Sequence, residues 1–457
     1  MNRAVVFAVL RWASKATLGA LLVTGTACGR RPVRASLATT TAGAAGTGAA
    51  IATVTAPAGT SKVAAPEPPT RALRRCFPER PAWVDAAVAD LLDRAADLFD
   101  EGDYPGALVC AEEAARQAPR SVEAHHNRAV ALMHLDRLEE ARDALALALA
   151  LAPQDPETLE AAADLYVNQL PPSADRSLLG LEYARRGTRH VSPRDKARRA
   201  RLALLEGQAL IDLGRSAEAL KRLDASLASA PNVPSAQYER GVALFELCRF
   251  DDAHRMFEKV LANDSDHAHA LYHLGLIEER QGNESAAALH LAAATAEDPK
   301  SFPAPLPVTQ ADFVARVRRA VEGLDPSIRH DLTGIPVEAA DMPSSEDLTA
   351  EMPPLSPTIL GLFRGLPLDY NAREPLPTQS SGRPSTKGRA EDEGTPAPPR
   401  CGPGDVPDRA IVLYRRNILR TVHDDKELDA AILRTLLHEV GHLRGEDDGS
   451  LRDRGLE

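Results

Sequence analysis

The 457-residue chain carries 54 Lys and Arg against 65 Asp and Glu, a net charge of −11, with 44% apolar and 26% charged residues. That balance is too apolar for a disordered chain and gives material for two or three packed domains. Aromatics are only 4% and alanine is abundant, which favours closely packed helices over a β-sandwich. The charge is spread along the sequence without a long basic stripe that could track a phosphate backbone, so nucleic acid is not an expected partner.

Residues 1–28 read as an export signal. Arg3, Arg11 and Lys15 precede a short apolar stretch from Ala16 to Ala27, too short to span a bilayer. It ends in Gly25-Thr26-Ala27-Cys28, which resembles a bacterial lipoprotein signal, with Gly25 where those signals favour leucine. The resemblance implies lipidation at Cys28 and an exported, membrane-anchored lipoprotein of the bacterial cell envelope; ordinary secretory cleavage is the alternative. Residues 29–80, dominated by Ala, Thr, Gly and Pro, hold too few large apolar groups to offset ordering entropy. They read as a disordered tether with a reach on the order of 40 Å. The remaining Cys76, Cys110, Cys248 and Cys401 contain no CxxC pair and read as buried or free thiols in preference to a disulfide framework.

The chain then repeats. Pro119 and Pro153 lie 34 residues apart, and Pro231 and Pro299 lie 68 apart with Ser265 at the midpoint. Small residues recur where paired helices must approach closely: Ala95, Ala107 and Ala114; Ala129, Ala141 and Ala148; Gly207 and Ala219; Gly241 and Ala253; Gly275, Ala287 and Ala294. Residues 83–299 therefore resemble tetratricopeptide repeats, whose period is about 34. Residues 154–199 are less regular, with a Leu170-Pro171-Pro172 break, and suit a helix pair with a lengthened turn. Such a solenoid implies a concave face that receives a protein or peptide partner.

After the Pro-rich Ser301 to Pro307, residues 308–457 read as a separate small domain. A helix is expected from Thr309, with Phe313, Val317, Ala320, Val321 and Leu324 on one face. Ile335 to Ala339 and Ala410 to Tyr414 are candidate strands, and residues 371–406 read as a disordered insertion. The last helix has Asp424 as its cap, Glu427 completing a capping box, a buried stripe of Leu428, Ile432, Leu436 and Val440, and an end near Leu443.

That helix carries the chemistry. In His438-Glu439-Val440-Gly441-His442 two histidines four residues apart share one helix face and can hold one ion, with neutral imidazole suiting Zn2+. Glu439 is placed to act as the base that takes a proton from water as it attacks a carbonyl. Asp448, ten positions after His438, fits the spacing HExxHxxGxxD for a third metal ligand. Asp447, Glu446 and Asp453 are the competing acids.

The run from Asp408 to Leu419 and on through Asp429 to Leu456 resembles the small bacterial zincin-like metallopeptidase family, as do the helix near Phe313 and the segment Ile359 to Leu368. The resemblance implies a compact α+β domain with metal ligands at His438 and His442, a base at Glu439, and an acidic turn at Gly445, Asp447 and Asp448. Glu446 stands where the family commonly has an apolar residue, and Arg444 puts a positive charge one turn from the ligands. The expected architecture is an α-helical tetratricopeptide solenoid followed by a small α+β zincin-like domain. The expected function is zinc-dependent peptide hydrolysis with a partner recruited by the repeats; the alternative is a non-catalytic repeat scaffold whose zincin-like domain is structural or inactive.

Overall fold

The computed structural model describes residues 88–368 and 409–456. The expected export signal with Cys28, the tether and the 371–406 insertion lie outside those residues. The described chain divides between Pro153 and Gln154 into two compact units.

The first unit contains two helix pairs, α1 (Val88–Asp100) with α2 (Tyr104–Gln117) and α3 (Val122–His134) with α4 (Leu138–Leu151). Asp103 and Ser121 start α2 and α3 by accepting hydrogen bonds from Gly106 N and Ala124 N, satisfying donors that a helix start leaves unpaired. Ala95, Ala107, Ala114, Ala129, Ala141 and Ala148 are all buried, which is the close helix approach their spacing predicts. Cys110 is fully buried on α2 and disulfide-bonded. This corrects the thiol reading at Cys110, because spacing alone selects no pairing among several cysteines, whereas Cys248 keeps its thiol as expected.

The second unit continues the pairing through α5 (Pro156–Asp164), α6 (Ala174–His190), α7 (Lys196–Asp212), α8 (Ser216–Ser229), α9 (Pro234–Glu246), α10 (Phe250–Leu261), α11 (Ala268–Arg280) and α12 (Glu284–Glu297). The lengthened turn is real: α5 runs into a π-helical turn over Leu165–Gln169, and Pro171 and Pro172, lacking amide donors, stop the helix before Ser173 caps α6. At Gly241 a side chain has no room, since a Cβ there would lie 2.6 Å from the Phe257 ring. Gly207 and Gly275 meet Leu223 and Leu291 in the same way. The period thus records where one helix presses its backbone against its partner's side chain.

The same unit ends in an α+β region. It comprises α13 (Gln310–Glu322), α14 (Pro326–Asp331), β1 (Val337–Ala340), α15 (Ser345–Thr349), β2 (Gly361–Arg364), β3 (Ala410–Tyr414), α16 (Arg415–Leu419), α17 (Asp425–Leu443) and α18 (Asp448–Asp453). The sheet order is β1-β3-β2. β1 runs parallel to β3 with Val337 opposite Ile411, and β2 runs antiparallel with Gly361 opposite Leu413. Central β3 is buried throughout, as a continuous apolar strand should be. β2 carries no strand signal in the sequence because it is four residues long, begins with glycine and is half-buried at every position, so it shows no alternation.

This region is fastened to the last repeats. Arg420 pairs with Glu279, Arg416 bonds Glu284 Oε1 at 2.8 Å, and Arg280 donates to the Pro343 carbonyl at 2.8 Å. Ser356 Oγ donates to Glu246 at 3.3 Å.

One core histidine makes the repeats sensitive to acid. His273 on α11 stacks on Phe257 with ring centroids 5.0 Å apart and donates from Nδ1 to the His269 carbonyl at 2.8 Å. Burial pushes its pKa down to about 4, against about 6.5 in an unfolded chain. The folded state therefore resists the proton that the unfolded chain accepts. The contribution of the neutral ring is complete above the unfolded pKa and is lost as pH falls from about 6.5 toward 4, at about 1.4 kcal/mol per pH unit. Urea denaturation at pH 7 and pH 5 should show a difference smaller by about 2 kcal/mol in His273→Phe than in the wild type.

Candidate metal centre

The helix α17 places the site. Asp424 accepts from Glu427 N at 2.8 Å and starts it. The Glu427 carboxylate reaches past the cap to His423 N at 2.8 Å, so the expected reciprocal box closes one residue further upstream. Leu428, Ile432, Leu436, Val440 and Leu443 are buried and join Phe313 and Val317 of α13 with Ile411 and Leu413 of β3 in one core. With that stripe fixed, His438 and His442 turn to a partly open face, their side chains 26% and 21% exposed.

Each imidazole is oriented from behind by the main chain. His438 Nδ1 lies 2.7 Å from the Leu456 carbonyl and His442 Nδ1 3.0 Å from the Glu446 carbonyl. A carbonyl only accepts, so both Nδ1 atoms carry hydrogen, and in the neutral rings both Nε2 atoms face forward with a lone pair, while a protonated His442 donates from Nε2 to Asp448. They lie 3.0 Å apart. Asp448 Oδ1 completes the group at 3.2 Å from His442 Nε2 and 3.8 Å from His438 Nε2. Three electron-rich atoms converging in this way form a set that a positive centre between them would stabilise. The set His438, His442 and Asp448 can hold a metal ion, with ligand atoms all within 4.8 Å of one another.

The tail returns to the helix for steric reasons. Gly445 turns the chain with φ of 85°, and α18 folds back until Leu451 lies where a Cβ on Gly441 would be, 2.2 Å away. Asp447 caps α18 by accepting from Ser450 N at 2.8 Å, so the next side chain, Asp448, faces the histidines. The competing acids are engaged elsewhere: Glu446 bonds Arg454 at 2.6 Å, Asp447 is the cap, and Asp453 is exposed. Arg444, expected to charge the cleft, bonds Asp331 Oδ2 through Nε at 2.8 Å.

Glu439 points to the sheet side of the helix and is buried. Gly361, opening β2, lies so close that a Cβ on it would stand 2.9 Å from Glu439 Oε1, and the Phe363 amide donates to this carboxylate. Burial raises the Glu439 pKa to about 7, opposed by the charge of His442 and the Phe363 hydrogen bond. Burial also resists charging His442, but the Asp448 hydrogen bond and the Glu439 and Asp448 charges outweigh it and raise its pKa. Asp448 is held low chiefly by its hydrogen bond to His442. The Leu456 and Glu446 carbonyls and the Phe363 amide have no sequence signature, because they act through the main chain. Cys28 lies outside the described residues.

With the geometry in place, the likeness to known proteins is specific. Residues 383–456 match the zincin-like metallopeptidase family, and residues 92–156, 204–249 and 244–302 match the tetratricopeptide repeat family. A tetratricopeptide-repeat region is thus joined to a C-terminal zincin-like domain in this chain. Among solved structures, PilF of Pseudomonas aeruginosa is 17% identical with a TM-score of 0.40, covering 47% of this chain and 92% of its own. PilW, a type IV pilus biogenesis factor, is 21% identical with a TM-score of 0.41, covering 48% of this chain and 96% of its own. YrrB, a tetratricopeptide protein with an unusual peptide-binding site, is 21% identical with a TM-score of 0.34, covering 42% and 93%. No curated protein matches the chain significantly.

The full-length chain should bind one divalent ion, measured by equilibrium dialysis with elemental analysis. His442→Ala should remove that binding, while Asp447→Ala, which removes a helix cap and no donor, should retain it. Equal loss in both variants would show that the tail fold, and not the donor set, governs the metal.

Proposed function

We propose that residues 308–457 form a zinc-dependent peptide hydrolase domain and that the repeats recruit its protein or peptide partner. The observation that carries this reading is the pair of imidazoles locked from behind by carbonyls with Asp448 beside them. A tetrahedral zinc ion with bonds of about 2.0–2.1 Å spaces its donors about 3.3 Å apart; these lie 3.0, 3.2 and 3.8 Å apart. Two imidazoles and one carboxylate also suit its borderline softness and leave a fourth position open. Zinc there would polarise a carbonyl and acidify water.

The chain's own groups do the rest. Glu439 takes the proton from the attacking water and returns it to the departing amine. The Phe363 amide fixes one of its oxygens, and burial keeps its affinity for a proton near the value that both steps need. β2 ends the sheet, pairing only with β3 among the described residues, and it borders Glu439. Its outer edge suits an extended peptide, which would add as a further strand.

Glu439→Gln in the full-length chain should keep the metal and lower cleavage of a quenched peptide library by about 10²–10⁴-fold. Equal cleavage by both forms would reject Glu439 as the base. A metal-loaded wild type that cleaves nothing would leave the non-catalytic scaffold as the better reading.

Export with lipid anchoring at Cys28 belongs to the same proposal. Labelled palmitate should enter the wild type and be absent from Cys28→Ser; label in both would reject Cys28 as the acceptor.

A further inference from the structure

The chain is acidic overall, with a net charge of −11, yet residues 176–201 contain eight Arg and Lys196 against only Glu182 and Asp195. Part of this excess is neutralised locally, since Arg198 and Arg201 pair with Glu160. Arg185 and Arg189 of this stretch, with Lys221 and Arg222 of α8, line a cavity of about 360 Å³ to which α6, α7 and α8 each contribute about one helical turn. That volume is in the range of a small-ligand or side-chain pocket.

Arg189 bonds Glu182 Oε1 at 3.3 Å, and the other three cations of this cavity are poorly engaged. Among the described residues Arg185 pairs only with Glu218, at 3.9 Å, and Glu218 is already held by two hydrogen bonds of 2.8 Å from Arg215. Arg222 approaches Glu206 no closer than 3.8 Å. Lys221 lines the cavity and makes no ion pair among the described residues. At the floor, Glu206 is 4% exposed and accepts one hydrogen bond, from Thr188 Oγ1 at 2.7 Å. Leu210 adds an apolar wall.

We infer that this cavity binds carboxylate side chains of an acidic peptide segment. Guanidinium forks match a carboxylate with paired hydrogen bonds, and three underused cations at the rim supply them. The buried Glu206 argues against phosphate, because a dianion seated deeply would face it. The same carboxylate accepts readily from peptide N–H groups. This assignment names the chemistry of the partner that the proposed function gives to the repeats, and it does not depend on cleavage.

The test uses the full-length chain carrying Glu439→Gln and a fluorescein-labelled pentapeptide of alternating glutamate and aspartate, read by anisotropy at low salt. Saturable binding is expected, with at least tenfold weakening in the Lys221→Glu/Arg222→Glu variant and less than twofold change in Arg194→Glu, which alters the same basic stretch outside the cavity. Lys221→Gln/Arg222→Gln, with native helicity confirmed by circular dichroism, guards against a folding defect and should also weaken binding. No saturable binding, equal loss in Arg194→Glu, equal binding of the glutamine-asparagine peptide, or tighter binding of inorganic phosphate or a single-stranded oligonucleotide would each overturn the cavity as an acidic-peptide site. Persistence of binding with Glu439→Gln in place separates this result from the fate of the hydrolase reading.

Discussion

The burial of one face of α17 against β3 and α13 is the constraint on which the site depends. Leu428, Ile432, Leu436, Val440 and Leu443 leave the helix no freedom to rotate, because turning it would expose several large apolar side chains at about 1.5–3 kcal/mol each. Once that face is fixed, the helical period decides the rest. His438 and His442 share the adjoining partly open face, and Glu439, one step round, falls on the sheet side where burial alters its proton affinity. A single packing choice therefore places two imidazoles in the candidate metal site and buries the carboxylate of their neighbour against the sheet.

The main chain then does what the side chains cannot. The carbonyls of Glu446 and Leu456 come from the returning tail, and they fix which nitrogen of each ring faces forward. Gly441 lets the tail pack this closely, since a Cβ there would stand 2.2 Å from the buried Leu451 side chain of α18, the helix that carries Asp448. Gly441 lies inside the histidine motif but serves the third donor. The site is thus built from one helix and from the packing of a short tail onto it.

How much of this was legible in the sequence follows from where each signal resides. The 34-residue period, the strand at Ala410 to Tyr414 and the start and end of α17 were visible because side-chain type reports burial and capping directly. β2 was not, since four half-buried residues show no period, and neither was α18, a single turn made by the Asp447 cap. The Leu456 and Glu446 carbonyls and the Phe363 amide were invisible in principle, as every residue carries those groups. The disulfide at Cys110 required spatial proximity that spacing does not encode. The basic character of residues 176–201 was present in the letters but was averaged away when charge was judged over the whole chain.

Two charged residues that depart from the resembled family, Arg444 and Glu446, show how the site tolerates them. Arg444 is drawn off by Asp331 on α14, and Glu446 is held by Arg454 across the tail turn. Each pair is partly exposed, so its direct contribution to stability is small. Their effect is geometric and electrostatic: one joins the end of α17 to α14, and the other joins the turn after α17 to the end of α18. The backbone of Glu446 then holds His442 while its side chain is turned away from the donors. A residue whose charge looked disruptive by position therefore supplies, through its carbonyl, one of the two hydrogen bonds that orient the histidine pair, and its carboxylate is kept out of the cluster by the same turn that delivers Asp448 into it.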